Sequence, residues 1–289
     1  SQEGDVLVLK VIYPFLAQVW EEGAQELLQR LWEGLPLRTA LQQGELKVAL
    51  ETSSLSRIPP DQAKRCVDRL ACTRVSLLVG PLVQRLAWLR DAVLLGDQAA
   101  QKAPQDSQQA RTKAMGAPPK PLVLQLRQLE TTCIVPKQDR VVVILSVHLD
   151  DEVDVALGRA FCQEFAETNR KGNEFSLPCS FHEPKDRDQL SDLRGLPVNV
   201  TPNVGFLTLT LTDQHVRGAS EDRLIALARP VMTFRNFFLF HLKHTKSFLH
   251  SRLRKRLDHW QQQIGKARRK RQQEKRRLVS GKEFVPPSR

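Results

Sequence analysis

The 289-residue sequence is poor in the features that announce catalysis or membrane residence. No stretch of 18 uncharged apolar residues occurs, so no membrane-crossing helix is expected. No secretory apolar region stands near the start. Phosphate-cradling loops of the GxxxxGK(S/T) or GxGxxG type are absent. So are a GxSxG elbow and an HExxH zinc helix; His182-Glu183-Pro184 lacks the second histidine. The seven histidines are scattered, and His241 and His244, three apart, have no nearby carboxylate or cysteine to complete a metal site. Cys66, Cys72, Cys133, Cys162 and Cys179 are odd in number and form no CxxC pair. That argues against a disulfide framework and a zinc site, and reads as small apolar fillers in a reducing compartment. No catalytic residue, cofactor or metal is expected, and an enzyme is the weakest of the function classes.

Aromatic residues are also few, at 6%, and after Ser251 only Trp260 and Phe284 remain. Single-strand binders need exposed rings on which bases stack, so nucleic acid is not the expected partner. The charge keeps an alternative open. From Ser251 to Arg289 there are 14 Lys/Arg against 3 Asp/Glu, whereas the preceding chain has 30 against 29. A nearly neutral body with a strongly basic tail calls for an acidic partner. A basic-tailed protein that binds nucleic acid through salt-sensitive phosphate contacts is the rival reading.

What the chain does have is a long amphipathic pattern, predicting a helix over about 220–279. Val231, Phe234, Phe238 and Leu242, then Leu249, Leu253, Leu257, Trp260, Ile264 and Ala267, recur by threes and fours. Thr245 alone fills an expected apolar slot with a polar residue. Val231 to Ala267 would span roughly 55 Å, more than a small domain can cover. Each large apolar side chain left in water forgoes about 1.5–3 kcal/mol. Either the outer half folds back on its own protein, or it is a seam for another subunit, the favoured reading. Up to Phe248 the helix is apolar most of the way round, with Phe237, Phe240 and Phe248 off the main stripe, which predicts burial on two sides there.

The rest of the chain reads as an α+β protein: two similar α/β sandwich-like domains with largely antiparallel sheets, plus the C-terminal helix. The first domain, 1–96, opens with a mostly buried strand at Asp5–Ile12. A helix from Pro14 to Trp32 follows, ended by Gly34 and Pro36, then a strand at Glu45–Glu51. After the Ser56–Pro60 loop, Asp61 is expected to cap a helix to Leu95, kinked or split at Gly80-Pro81. Residues 97–121, rich in Gln, Ala, Pro and Lys, read as a flexible linker or insertion. The second domain, 122–218, is expected in the order β-β-β-α-β-β, with strands at Leu122–Leu126, Thr131–Val135, Arg140–Leu149, Glu174–Phe181 and Val204–Leu211. Asp150-Asp151-Glu152 reads as a helix cap, and His182–Pro202 as a polar loop. The long helix occupies 219–279 and a tail 280–289. The chain starts at Ser1 rather than Met, and an incomplete N-terminus is expected.

The run KQDRVVVILSVHL followed by DDEVDVALGRAFCQEF, then VGFLTLTL, FRNFFLFHLKHTKSFLHSRLR and LVSGKEF, resembles subunit 2 of the actin-related protein 2/3 complex, the 34 kDa-type subunit family. EEGAQELLQRLWEG (Glu21–Gly34) resembles it more faintly. The resemblance implies a non-catalytic, cytoplasmic scaffold of the actin cytoskeleton. It would pair with subunit 4, join the other subunits and touch the side of an actin filament from which a branch grows. It implies that Leu249, Leu253, Leu257, Trp260 and Ile264 form the partner-subunit face. It also implies that Arg252, Arg254, Lys255, Arg256 and Lys282 meet the acidic filament. Three departures from the family pattern are expected to matter: a missing N-terminal segment, a longer and more polar linker, and a tail denser in Lys/Arg.

Overall fold

A computed structural model of the chain describes residues 6–35, 37–42, 44–51, 59–102, 113–171 and 177–274. Contacts divide the chain into one unit from Ser1 to Asn236 and a second from Phe237 to Arg289. Both sheets and their covering helices belong to the first unit; the second contains most of the terminal helix.

The first sheet has three antiparallel strands in the order β1-β3-β2: β1 Val6–Ile12, β2 Leu37–Gln42 and β3 Glu45–Glu51. The period of two puts Leu46, Val48 and Leu50 of the central strand on one face, where all three are buried. Their cross-strand neighbours Val11, Leu9 and Leu7 share that face. The outer face is wetter than expected. Val6, Val8 and Ile12 are exposed, so β1 is an edge strand with an uncovered side rather than a mostly buried one. Strand β2, not expected from the pattern, pairs along its whole length with β3. Gly44, at φ 78°, supplies the left-handed residue their tight connection needs.

Between β1 and β2 the helix expected over Pro14–Trp32 is interrupted. Helix α1 (Leu16–Val19) passes into a π-type segment, Trp20–Ala24, and then α2 (Gln25–Leu31). Gly23 at φ 106° breaks the helical run. Helix α3, Pro60–Lys102, is the longest of the described elements and is not split at Pro81. It starts at Pro60, so Asp61 sits in its first turn instead of capping it. It also runs through Gly96, where the first domain was expected to close. The Ser56–Pro60 loop falls mostly outside the described residues, as does much of 97–121.

Helix α3 meets the α1–α2 region at a very close crossing. A Cβ on Gly80 would lie 2.5 Å from the Ala24 Cα, and one on Gly23 would lie 2.8 Å from the Gln84 Cβ. One turn beyond Gly80, the side chain of Arg85 is almost wholly buried. Its guanidinium donates to Glu22 Oε2 at 2.7 Å, to the Pro81 carbonyl at 3.0 Å and to the Lys120 carbonyl at 3.3 Å. Burying a cation is tolerable only with such partners.

The second sheet is antiparallel throughout, in the order β4-β5-β6-β8-β7. Its strands are β4 Leu122–Arg127, β5 Glu130–Pro136, β6 Arg140–Val147, β7 Cys179–His182 and β8 Gly205–Thr212. Helix α4, Glu152–Lys171, lies between β6 and β7 in the chain, giving the expected β-β-β-α-β-β order. Asp151 caps it, accepting from the backbone N–H of Val153 at 2.9 Å and Asp154 at 3.1 Å. The region expected to be a polar loop covers one face of this sheet. Leu190, Leu193, Val198 and Val200 pack over Cys133, Val135, Val142, Ile144 and Phe206, with Leu190 between two 3-10 turns and Leu193 at the end of the second. The strand expected from Glu174 begins at Cys179; residues 172–176 lie outside the described ones.

After β8 the chain forms a short turn of helix, α5 (Asp213–Val216), and α6 (Glu221–Met232), whose Ser220 cap accepts from Arg223 N at 3.3 Å. Helix α6 packs on α3, and Arg30 of α2 pairs with its Glu221. It ends at Thr233, whose hydroxyl donates to the Arg229 carbonyl at 2.8 Å. The terminal helix α7, Phe234–Glu274, therefore begins afresh where one unbroken helix was expected. Its first turn is anchored. Arg235 Nε donates to Glu130 Oε2 at 2.6 Å, and Phe234 packs against Phe165 with ring centroids 5.1 Å apart. Glu130 is buried and also draws Arg127 at 3.7 Å and the His148 backbone N–H at 3.4 Å.

Two outcomes test this packing. Gly80→Val adds bulk against backbone that cannot yield, and should lower stability by about 1–3 kcal/mol in urea unfolding followed by tryptophan fluorescence. Arg235→Met removes the strongest partner of a buried carboxylate and should cost about 1–3 kcal/mol in the same assay. Adding Glu130→Met to that variant should restore part of the loss, because both polar groups are then gone.

Candidate docking helix

Helix α7 is long because nothing in its sequence stops it: no proline occurs from Arg235 to Glu274, and Gly265 is its only glycine. Its apolar stripe has two fates. Phe234, Phe238 and Leu242 are buried, as is Val231 of α6. Beyond Thr245 every expected partner-face residue is exposed, from 42% at Leu249 and 43% at Ile264 to 68% at Trp260, with Leu253 and Leu257 between. The helical period brings these five side chains together on one side of the helix.

The expected filament-binding cations are not gathered in the same way. Arg252, Arg254, Lys255 and Arg256 are all exposed. At 3.6 residues per turn, Arg252 and Arg256 flank the leucine side on one edge and Arg254 flanks it on the other. Lys255 lies nearly opposite the leucines. They form a basic collar rather than a patch. Lys282 lies outside the described residues. The stretch from Phe234 to Leu257 holds seven Lys/Arg and no Asp/Glu, and the first carboxylate, Asp258, comes one turn beyond Arg254 and Lys255.

The periodicity that identified the stripe did not predict the state of the opposite side. Phe237, Phe240 and Phe248, expected to be buried, are exposed at 47%, 65% and 57%. Their rings meet the histidines. Phe237 and His241 centroids are 4.3 Å apart, Phe240 and His241 5.3 Å, and Phe240 and His244 6.2 Å with nearly parallel planes. The Arg252 guanidinium stands 5.6 Å from the Phe248 centroid, a cation–π contact. These histidines are thus part of an aromatic surface, and no group of three metal-ligating side chains occurs among the described residues.

The cysteines lie elsewhere. Burial pushes the Cys133 thiol up to about 11 and the Cys162 thiol up to about 12, so both are protonated packing groups at neutral pH. Among the described residues no helix is long and apolar enough to cross a membrane.

Comparison with known proteins agrees with the strand and helix strings that carried the resemblance. The chain is 28% identical over 165 residues to "Actin-related protein 2/3 complex subunit 2" of Schizosaccharomyces pombe, covering 57% of this chain and 50% of that protein. It is 30% identical over 160 residues to "Actin-related protein 2/3 complex subunit 2A" of Arabidopsis thaliana, covering 55% and 47%. The chain thus spans about half the length of the curated relatives it matches. A family model described as "Arp2/3 complex, 34 kD subunit p34-Arc" matches residues 9–271, which takes in both sheets, save the first three residues of β1, and nearly all of α7; the chain belongs to the p34-Arc family.

Proposed function

We propose that this protein is a non-catalytic structural subunit of an actin-related protein 2/3 complex in the cytoplasm, working at the actin cytoskeleton. The observation that carries this reading is the exposed leucine side of α7, Leu249, Leu253, Leu257, Trp260 and Ile264, on a helix with its own firm anchor. Subunit 4 covers that side with a helix of its own, and the pair forms the core on which the other subunits assemble. The basic collar, with Lys282, then meets the acidic side of a pre-existing filament and lets a branch nucleate there. In this reading the sheet-bearing regions 1–96 and 122–218 are the globular halves of the subunit, and 97–121 connects them.

Magnitudes favour the leucines as the source of affinity and the cations as the source of steering. Two leucines buried at an interface contribute about 3–6 kcal/mol, whereas an exposed ion pair contributes roughly 0–1 kcal/mol and is screened by salt. Leu253→Ser with Leu257→Ser should therefore weaken capture of subunit 4 in a co-expression pull-down by about 100-fold or more. Full capture by this variant would overturn the scaffold reading.

Charge reversal of Arg252, Arg254 and Lys282 to Glu should leave that capture intact and reduce co-sedimentation with filaments, most visibly at low salt. Unchanged sedimentation would remove the filament assignment. The rival nucleic-acid reading makes the opposite forecast: RNA retained on the purified chain, lost steeply as salt rises, with no stoichiometric protein partner.

A further inference from the structure

The leucine side accounts for only one face of α7. The other face carries an ordered row: Phe240, His244, Phe248 and Arg252 follow one another at intervals of four residues. Residues so spaced are neighbours on a helix, about 5–6 Å apart at Cβ, and make one of the ridges by which helices interlock. All four are exposed. The row has contacts of its own at each end, the Phe240–His244 stack and the Arg252–Phe248 cation–π contact. Phe240, His244 and Phe248 turn away from Leu249 and Leu253 round the helix, while Arg252 stands at the edge of the leucine side, so a partner helix seated on the leucines leaves those three rings uncovered.

We infer that this aromatic ridge is a second docking face of α7, and that it receives a helix of another protein whose contact side carries large apolar residues flanked by carboxylates. Charge complementarity selects that occupant. The helix has no Asp or Glu from Phe234 to Leu257, while Lys243 borders the ridge and Arg252 ends it, both exposed. A groove beside an i, i+4 ridge accepts the ridge of another helix, and flanking carboxylates would meet these cations at the rim. A lipid surface would instead take the more apolar leucine side, because membrane binding scales with apolar area. Stacked bases fit poorly, since Phe240 and Phe248 stand just over two helical turns apart, about 12 Å, with a histidine between them. The inference stands on the ridge and its charge, and does not require that subunit 4 be the occupant of the leucine side.

The test places a photo-crosslinking phenylalanine analogue at 240, 248, 253 or 257 in the full chain, in cell extract, with mass-spectrometric identification of what is captured. Sites 240 and 248 should capture one protein segment with helical period and net negative charge, different from that captured at 253 and 257. A synthetic peptide of the captured segment should bind the full chain, and His244→Glu should weaken it at least tenfold by setting a carboxylate in the ridge. Phe240→Ser with Phe248→Ser should do the same. Leu253→Ser with Leu257→Ser should leave it within twofold. Far-UV circular dichroism should show unchanged helix content in each variant. Capture of lipid, of nucleic acid, of this same chain or of nothing at 240 and 248 would overturn the inference. So would one segment captured at all four sites, or a captured segment indifferent to His244→Glu. Loss of capture at 253 and 257 alone would count against the scaffold reading and leave the ridge standing.

Discussion

The contact on which the start of the terminal helix depends is the pairing of Arg235 with buried Glu130. A carboxylate at the start of β5 cannot be taken out of water unpaired, and Arg235, the second residue of α7, gives it a charged partner at 2.6 Å. Arg127 and the His148 backbone N–H complete its surroundings. Together with the Phe165–Phe234 contact, this ties the first turn of α7 to the five-stranded sheet and its helix α4. The break at Thr233 makes such an anchor necessary, because α7 is not a passive continuation of α6.

A second constraint shapes the body from within. Helix α3 is shared property: it meets the α1–α2 region, α6 and strands β5 and β6. A helix touching so much must be close-packed on more than one side, and the sequence shows how. Glycines at 23 and 80 allow the near-contact of backbones, and Arg85 reaches Glu22 and the Lys120 carbonyl from inside the core. Pro81 lies inside this helix beside the Gly80 crossing and is itself buried, in the closely packed middle of the helix.

On α7 the two faces differ in chemistry. The leucine side offers apolar area without charge, the material of a permanent interface. The aromatic side offers rings, imidazoles and a guanidinium in a row, material in which rim charge selects the partner. The absence of carboxylates up to Asp258 is common to both, since the same basic residues border each face.

Much of this was legible in residue order. The β-branched run of β6, the alternation of β8 and the three-four spacing of α7 each state their own geometry, because period alone dictates which side chains share a face. Strand β2 was harder: Leu37, Thr39 and Leu41 alternate weakly, and the segment becomes a strand because β3 offers it a full ladder. Residues 182–202 look polar by composition, yet four aliphatic side chains spread through them find the open face of the second sheet, a pairing that no local pattern encodes. The same holds for Arg85, whose burial depends on residues 63 positions before it and 35 after it. By itself the sequence determined the periods, the excess of basic charge on the last helix and the apolar stripe along it. Only the tertiary structure decided where that stripe stops being covered and that Phe240 and Phe248 lie bare, because coverage is a matter of what else is near in space, and periodicity carries no information about that.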